Sequence, residues 1–102
     1  MTMGMRIALK VAEKGIHPIY KMGAAIVKGN SLVSVGFNHR AIHAEASAIG
    51  RRDVKGCDIY VARQRRGKSK PCEKCMRLLK EAGIRKFHYF EADGSVTSER
   101  VI

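Results

Sequence analysis

The chain has no tryptophan, only two prolines and only three cysteines in 102 residues. Aromatic residues amount to 6% of it, too few to suggest a base-stacking platform for nucleic acid. Three cysteines cannot all pair, and nothing points to secretion, so a disulfide framework is not expected. Thiols in a reducing, cytoplasmic compartment are expected instead. No apolar run is long enough to span a bilayer, and no segment near the N-terminus is built like a signal peptide, so no membrane partner is expected. Repeats, low-complexity tracts and Pro/Ser-rich linkers are also missing, which predicts one compact domain over residues 1–102. Acidic residues are scarce, nine against 20 Lys and Arg, for a net charge of +11. Such a charge attracts phosphorylated or polyanionic partners, and it equally describes a basic surface with no nucleic-acid role.

What is present is a hydrophobic fraction of 45%, ordinary for a globular chain. Ile7, Ala8, Val11 and Ala12 share one helical face, with Gly15 as the expected stop. The segment MGAAIVKGNSLVSVGFN reads as a hairpin turning at Gly29-Asn30. HAEASAIG reads as a short helix ended by Gly50, and CDIYVAR as a buried strand. A helix is predicted from Cys72 to Ala82, with Pro71 in its first turn and Gly83 beyond its end. KFHYFEA and SVTSERVI close the order as strands. Strands alternating with helices after a hairpin predict an α/β fold with three α/β/α layers around a mixed sheet of four or five strands. In such sheets, sites form beyond the carboxyl ends of strands, where the next helices start. Both HAE and PCEKC sit at such junctions.

Cys72-Glu-Lys-Cys75 alone fits redox exchange, a structural metal clip or an open metal site. A closed zinc clip needs four protein ligands: His43, Cys72, Cys75 and one of Cys57, His17, His39 or His88. A catalytic zinc needs three and keeps its fourth position for water. His43 supplies an imidazole, and Glu45 a carboxylate that carries protons without binding the metal. Residues two apart on a helix point to nearly opposite sides, so His43 should lie in the turn leading into the helix.

His43-Ala44-Glu45 followed by Pro71-Cys72-Glu73-Lys74-Cys75 resembles the established H-x-E…P-C-x-x-C signature of the zinc-dependent cytidine/deoxycytidylate deaminase superfamily. The resemblance extends over GAAIVKG, GFN, HAEASAI, CDIYVAR and AGIRKFHYF. It implies Zn2+ held by His43, Cys72 and Cys75, with Glu45 shuttling protons for a zinc-bound water that attacks the amino-bearing ring carbon. It also implies a base contact from the Ala44 amide and one to base or sugar from Asn38, for which a turn role is equally open.

The loop RQRRGKSK offers Arg65, Arg66 and Lys70 as phosphate contacts beside the site. Arg51 and Arg52 either add to that field or balance a helix end. Lys70 departs from the small polar or acidic residue that many family branches carry before the proline. Polynucleotide deaminases of this superfamily place a helix between the last two core strands, which then run parallel. Here only the Asp93-Gly94 turn separates them, so an antiparallel fifth strand is predicted, as in the free-nucleoside branch. Phe37, Tyr60, Phe87, Tyr89 and Phe90 are expected mainly in the core, with one of the last three available to stack on a base. The reading is hydrolytic deamination of cytosine in a nucleoside or nucleotide, (deoxy)cytidylate favoured, by a homo-oligomer. The alternatives are a deaminase acting on single-stranded nucleic acid and a non-catalytic zinc-stabilised nucleic-acid-binding module.

Overall fold

The computed structural model describes residues 2–14, 21–39, 42–64 and 68–101. Gly15, His17, Arg65 and Arg66 lie outside them. The elements are α1 (Met3–Ala12), β1 (Met22–Lys28), β2 (Ser31–Phe37), α2 (Ala44–Ile49), β3 (Asp58–Arg63), α3 (Glu73–Ala82), β4 (Lys86–Phe90) and β5 (Val96–Arg100). The sheet runs β2-β1-β3-β4-β5, with only β3 and β4 parallel. Gly29 turns the first hairpin at φ 61° and Gly94 the last at φ 86°, a left-handed conformation that glycine takes without strain. β5 pairs antiparallel with β4, as the two-residue turn predicts. Among the described residues no helix is long and apolar enough to cross a membrane.

Strand alternation sends side chains to two cores. On one face, Met5 and Ala8 of α1 pack with Ala25, Ala62 and Phe90. On the other, Ala44, Ala48 and Ile49 of α2 and Leu79 of α3 pack with Ile26, Ile59, Val61, Phe87 and Tyr89. This gives the three layers. Phe87, Tyr89 and Phe90 are all buried, so the expectation that one of them stacks on a base does not hold. Pro71 stands one residue before the helix cap, not in the first turn, because α3 starts at Glu73.

The register puts Met22 opposite Arg63 and Gly23 opposite Phe37, so β2 and β3 finish at the edge where β1 begins. α2 and α3 both start beyond that edge. α2 sits close on β2 because Gly36 has no side chain: a methyl there would overlap the backbone of Ala44 and Ala48. Ser34 fixes the same contact, its hydroxyl donating to the Ala48 carbonyl at 2.6 Å. Gly36→Ala should therefore lower stability by about 1–3 kcal/mol in urea unfolding, the usual cost of overpacking. An unchanged midpoint would show that α2 can shift without cost.

Candidate metal centre

The helix starts differ in how they are capped. Thr2 caps α1 in the ordinary way, its hydroxyl accepting from the Met5 amide at 3.2 Å. His43 caps α2 and Cys72 caps α3, both with extended backbone and neither with a side-chain cap bond. Their side chains turn toward each other. The His43 Nδ1 lies 3.8 Å from the Cys72 Sγ and 3.2 Å from the Cys75 Sγ. All three donor atoms fall within 4.8 Å of one another. His43 thus precedes the helix, as the His-x-Glu spacing requires. Cys75, one turn into α3, is buried, while His43 and Cys72 are exposed.

This donor set fits zinc. Tetrahedral geometry with Zn–S of about 2.3 Å and Zn–N of about 2.0–2.1 Å places sulfur and nitrogen about 3.6 Å apart, between the two distances found. The electrostatics agree. Burial raises the Cys75 thiol pKa, and the Glu45 carboxylate and Cys72 raise it further. Two thiolates and a carboxylate can share so small a space only around a cation. Of the candidates for a fourth protein ligand, Cys57 is buried in the core. His88 bridges Asp58 at 2.9 Å and Ser98 at 2.6 Å, and His39 packs against Phe37. None of these joins the trio, and His17 is undescribed, so among the described residues the cluster has three protein donors.

Glu45 is 4% exposed, in the first turn of α2. Burial raises its pKa above the usual 4.5, opposed by its backbone hydrogen bond, by His43 and by the Cys75 thiol. A carboxyl shifted in this direction holds a proton more readily than an exposed one, which suits a proton carrier. Ala44 occupies the first position of α2, where an amide has no partner within its helix. Asn38 ties the edge together, its Oδ1 accepting from the Met22 amide at 2.9 Å.

The two described lysines of the basic loop are both paired with carboxylates. Lys70 lies 3.6 Å from Glu99 and over the Tyr89 ring, and Lys68 lies 4.0 Å from Glu91. The Tyr89 hydroxyl donates to Glu99 at 2.7 Å, which lowers the Glu99 pKa with help from Lys70. Arg51 and Arg52 are exposed beyond Gly50. A groove of ≈ 560 Å³ runs from His43 and Cys75 between α2 and α3. Lys74 and Arg77 form its cationic rim, Ala46 and Leu78 are among its apolar lining, and Glu81 also faces it. The sequence reading missed Lys74 and Arg77. Their spacing carried the signal, because 74, 77, 78 and 81 fall on one helix face.

Glu45→Gln should stabilise the metal-free chain at neutral pH. A carboxyl whose folded pKa is raised favours the protonated fold, so the parent loses stability as pH rises above 4.5 through the folded value. The neutral amide is spared that loss. Urea unfolding of chelated protein at pH 5 and pH 8 should show the variant's advantage growing with pH; an advantage that shrinks would contradict the burial argument.

Comparison with known proteins agrees with this geometry. The sequence model for the cytidine and deoxycytidylate deaminase zinc-binding region matches residues 2–91. An uncharacterized deaminase of Aliivibrio fischeri is 33% identical, over 70% of this chain and 58% of its own. Human deoxycytidylate deaminase is 29% identical, over 79% of this chain and 58% of its own. The chain therefore spans under two thirds of the length of these curated relatives. The crystal structure of cytidine deaminase from Burkholderia pseudomallei superimposes with a TM-score of 0.77 at 25% identity, covering 99% of this chain and 94% of that one. With a family match across both signature motifs and the same fold, the chain belongs to the zinc-dependent cytidine and deoxycytidylate deaminase superfamily.

Proposed function

We propose that the protein hydrolytically deaminates cytosine to uracil in a nucleoside or nucleotide, with (deoxy)cytidylate favoured. The observation that carries this reading is a three-donor cluster with a buried carboxylate beside it. His43, Cys72 and Cys75 would hold zinc, which when bound supplies Lewis-acid activation of water. Glu45 takes a proton from the attacking water and delivers it to ring N3 of the base. Oxygen adds at C4, the C4–N4 bond breaks, and Glu45 passes the second proton to the departing amine, which leaves as ammonia. The Ala44 amide is oriented by the start of α2 to donate to the base, and Asn38 stands at the same edge.

Three observations support a small substrate. β5 is antiparallel to β4, resembling the free-nucleoside branch. The buried rings leave no stacking platform in β4. Human deoxycytidylate deaminase is among the relatives. Lys74 and Arg77 belong to none of the ion pairs formed among the described residues and rim the groove from the donor cluster, which supports a phosphorylated substrate. A binding module that had lost turnover would gain nothing from burying Glu45 at a cost in stability. Exposed Ile42 beside the groove supports self-association across this face.

Ammonia release should be measured on cytidine, deoxycytidine, their monophosphates, adenosine and single-stranded DNA and RNA, with sedimentation of the active species. The monophosphates should be preferred by a species larger than one chain. Glu45→Gln should keep one zinc per chain and lose at least roughly 10²-fold in rate. Activity confined to polymers would sink the substrate assignment, and parental turnover by Glu45→Gln would sink the mechanism.

A further inference from the structure

Residues 68–70 lead directly to Pro71 and Cys72, and their side chains alternate in direction. Lys68 and Lys70 point outward to the ion pairs with Glu91 and Glu99 on the β4–β5 hairpin. Ser69 between them is 1% exposed, the most buried polar side chain among the described residues. It enters the sheet where β3 and β4 separate: their parallel pairing ends at Val61 and Tyr89.

At that fork Ser69 takes the place of the missing ladder. Its amide donates to the Phe90 carbonyl at 2.9 Å. Its Oγ accepts from the Phe90 amide at 2.8 Å and donates to the Val61 carbonyl at 2.7 Å. One hydroxyl therefore satisfies a donor on β4 and an acceptor on β3 at once, which neither alanine nor glycine can do. Val61 and Phe90 are both buried, where a backbone group left unpaired is costly. Cys72 follows three residues later, across Pro71, whose ring fixes φ. Few soft torsions separate the Ser69 anchor from the Cys72 sulfur and from the first turn of α3 that carries Cys75.

We infer that Ser69 is a positioning residue for the metal centre: its two-strand clamp sets where Cys72 and Cys75 stand relative to His43. It touches neither the donors nor the groove and acts through the backbone of residues 70–72. The inference rests on the proposed reading in that the trio must hold zinc.

The test is zinc affinity of the full chain by chelator competition, with the thiolate-to-cobalt absorption of the Co²⁺-substituted protein as a second readout. The variants are Ser69→Ala, Ser69→Cys and Val54→Ala, the last buried in the core at the opposite end of the sheet. Loss of a residue that supports metal ligands should cost roughly 10–100-fold in affinity, so Ser69→Ala should fall in that range with an altered cobalt spectrum. Val54→Ala should stay within about twofold of the parent however much stability it loses, as distant sites do. Ser69→Cys, which keeps a weaker donor and acceptor on a slightly larger side chain, should fall between, and it decides the matter if Ser69→Ala does not fold. Parental affinity in the Ser69 variants, or an equal loss in Val54→Ala, overturns the inference. A parent chain that binds no zinc overturns both this inference and the deaminase reading.

Discussion

Two helices begin at one point with their cap side chains turned away from their own backbones. An N-cap residue ordinarily satisfies one of the first amides, worth about 1 kcal/mol, as Thr2 does for α1. His43 and Cys72 give this up, and their side chains meet over the sheet edge instead. The compensation must come from what the donors bind jointly. A cation there would accept the imidazole and both sulfurs, and would offset the burial that raises the Cys75 and Glu45 pKa values and the Glu45 and Cys72 repulsion that raises Cys75 further. A cation held there would thus serve stability and site chemistry at once.

Small residues make the convergence possible. Gly36 admits the backbone of α2 against β2, and Ala44 and Ala48 complete that contact without large side chains. Ser34 holds the far end of α2, and Ser69 holds the approach to α3. Two buried hydroxyls, each bonded to a backbone carbonyl, therefore fix the two helices whose first turns carry the site. The β4–β5 hairpin contributes from outside, where Glu91 and Glu99 take up Lys68 and Lys70.

Much of this was legible in the sequence, for identifiable physical reasons. Gly29-Asn30 and Asp93-Gly94 announce their turns because left-handed backbone demands such residues, and the second turn was enough to make β5 antiparallel. The two-residue interval between His43 and Glu45 forces the histidine out of the helix if both are to serve one ion. The metal trio is legible for the same reason: its chemistry fixes residue types as well as positions. The loop cations were harder, because charge in a sequence carries no direction. Lys70 folds onto Glu99, which is 29 residues away in the chain, and Arg65 and Arg66 lie outside the described residues. Ser69 was invisible for a different reason. Its role depends on where two strands separate, and a serine in a basic loop gives no sign of burial.

The proposed site is an open centre with three protein ligands, two of them sulfur, and a carboxylate held off the metal. X-ray absorption at the zinc edge of the zinc-loaded full chain tests it most directly. Such a centre should show two sulfur neighbours at about 2.3 Å and two nitrogen or oxygen neighbours at about 2.0–2.1 Å, one of these exchangeable with solvent or an added anion. A third sulfur, or a light-atom pair in which neither member exchanges, would contradict it.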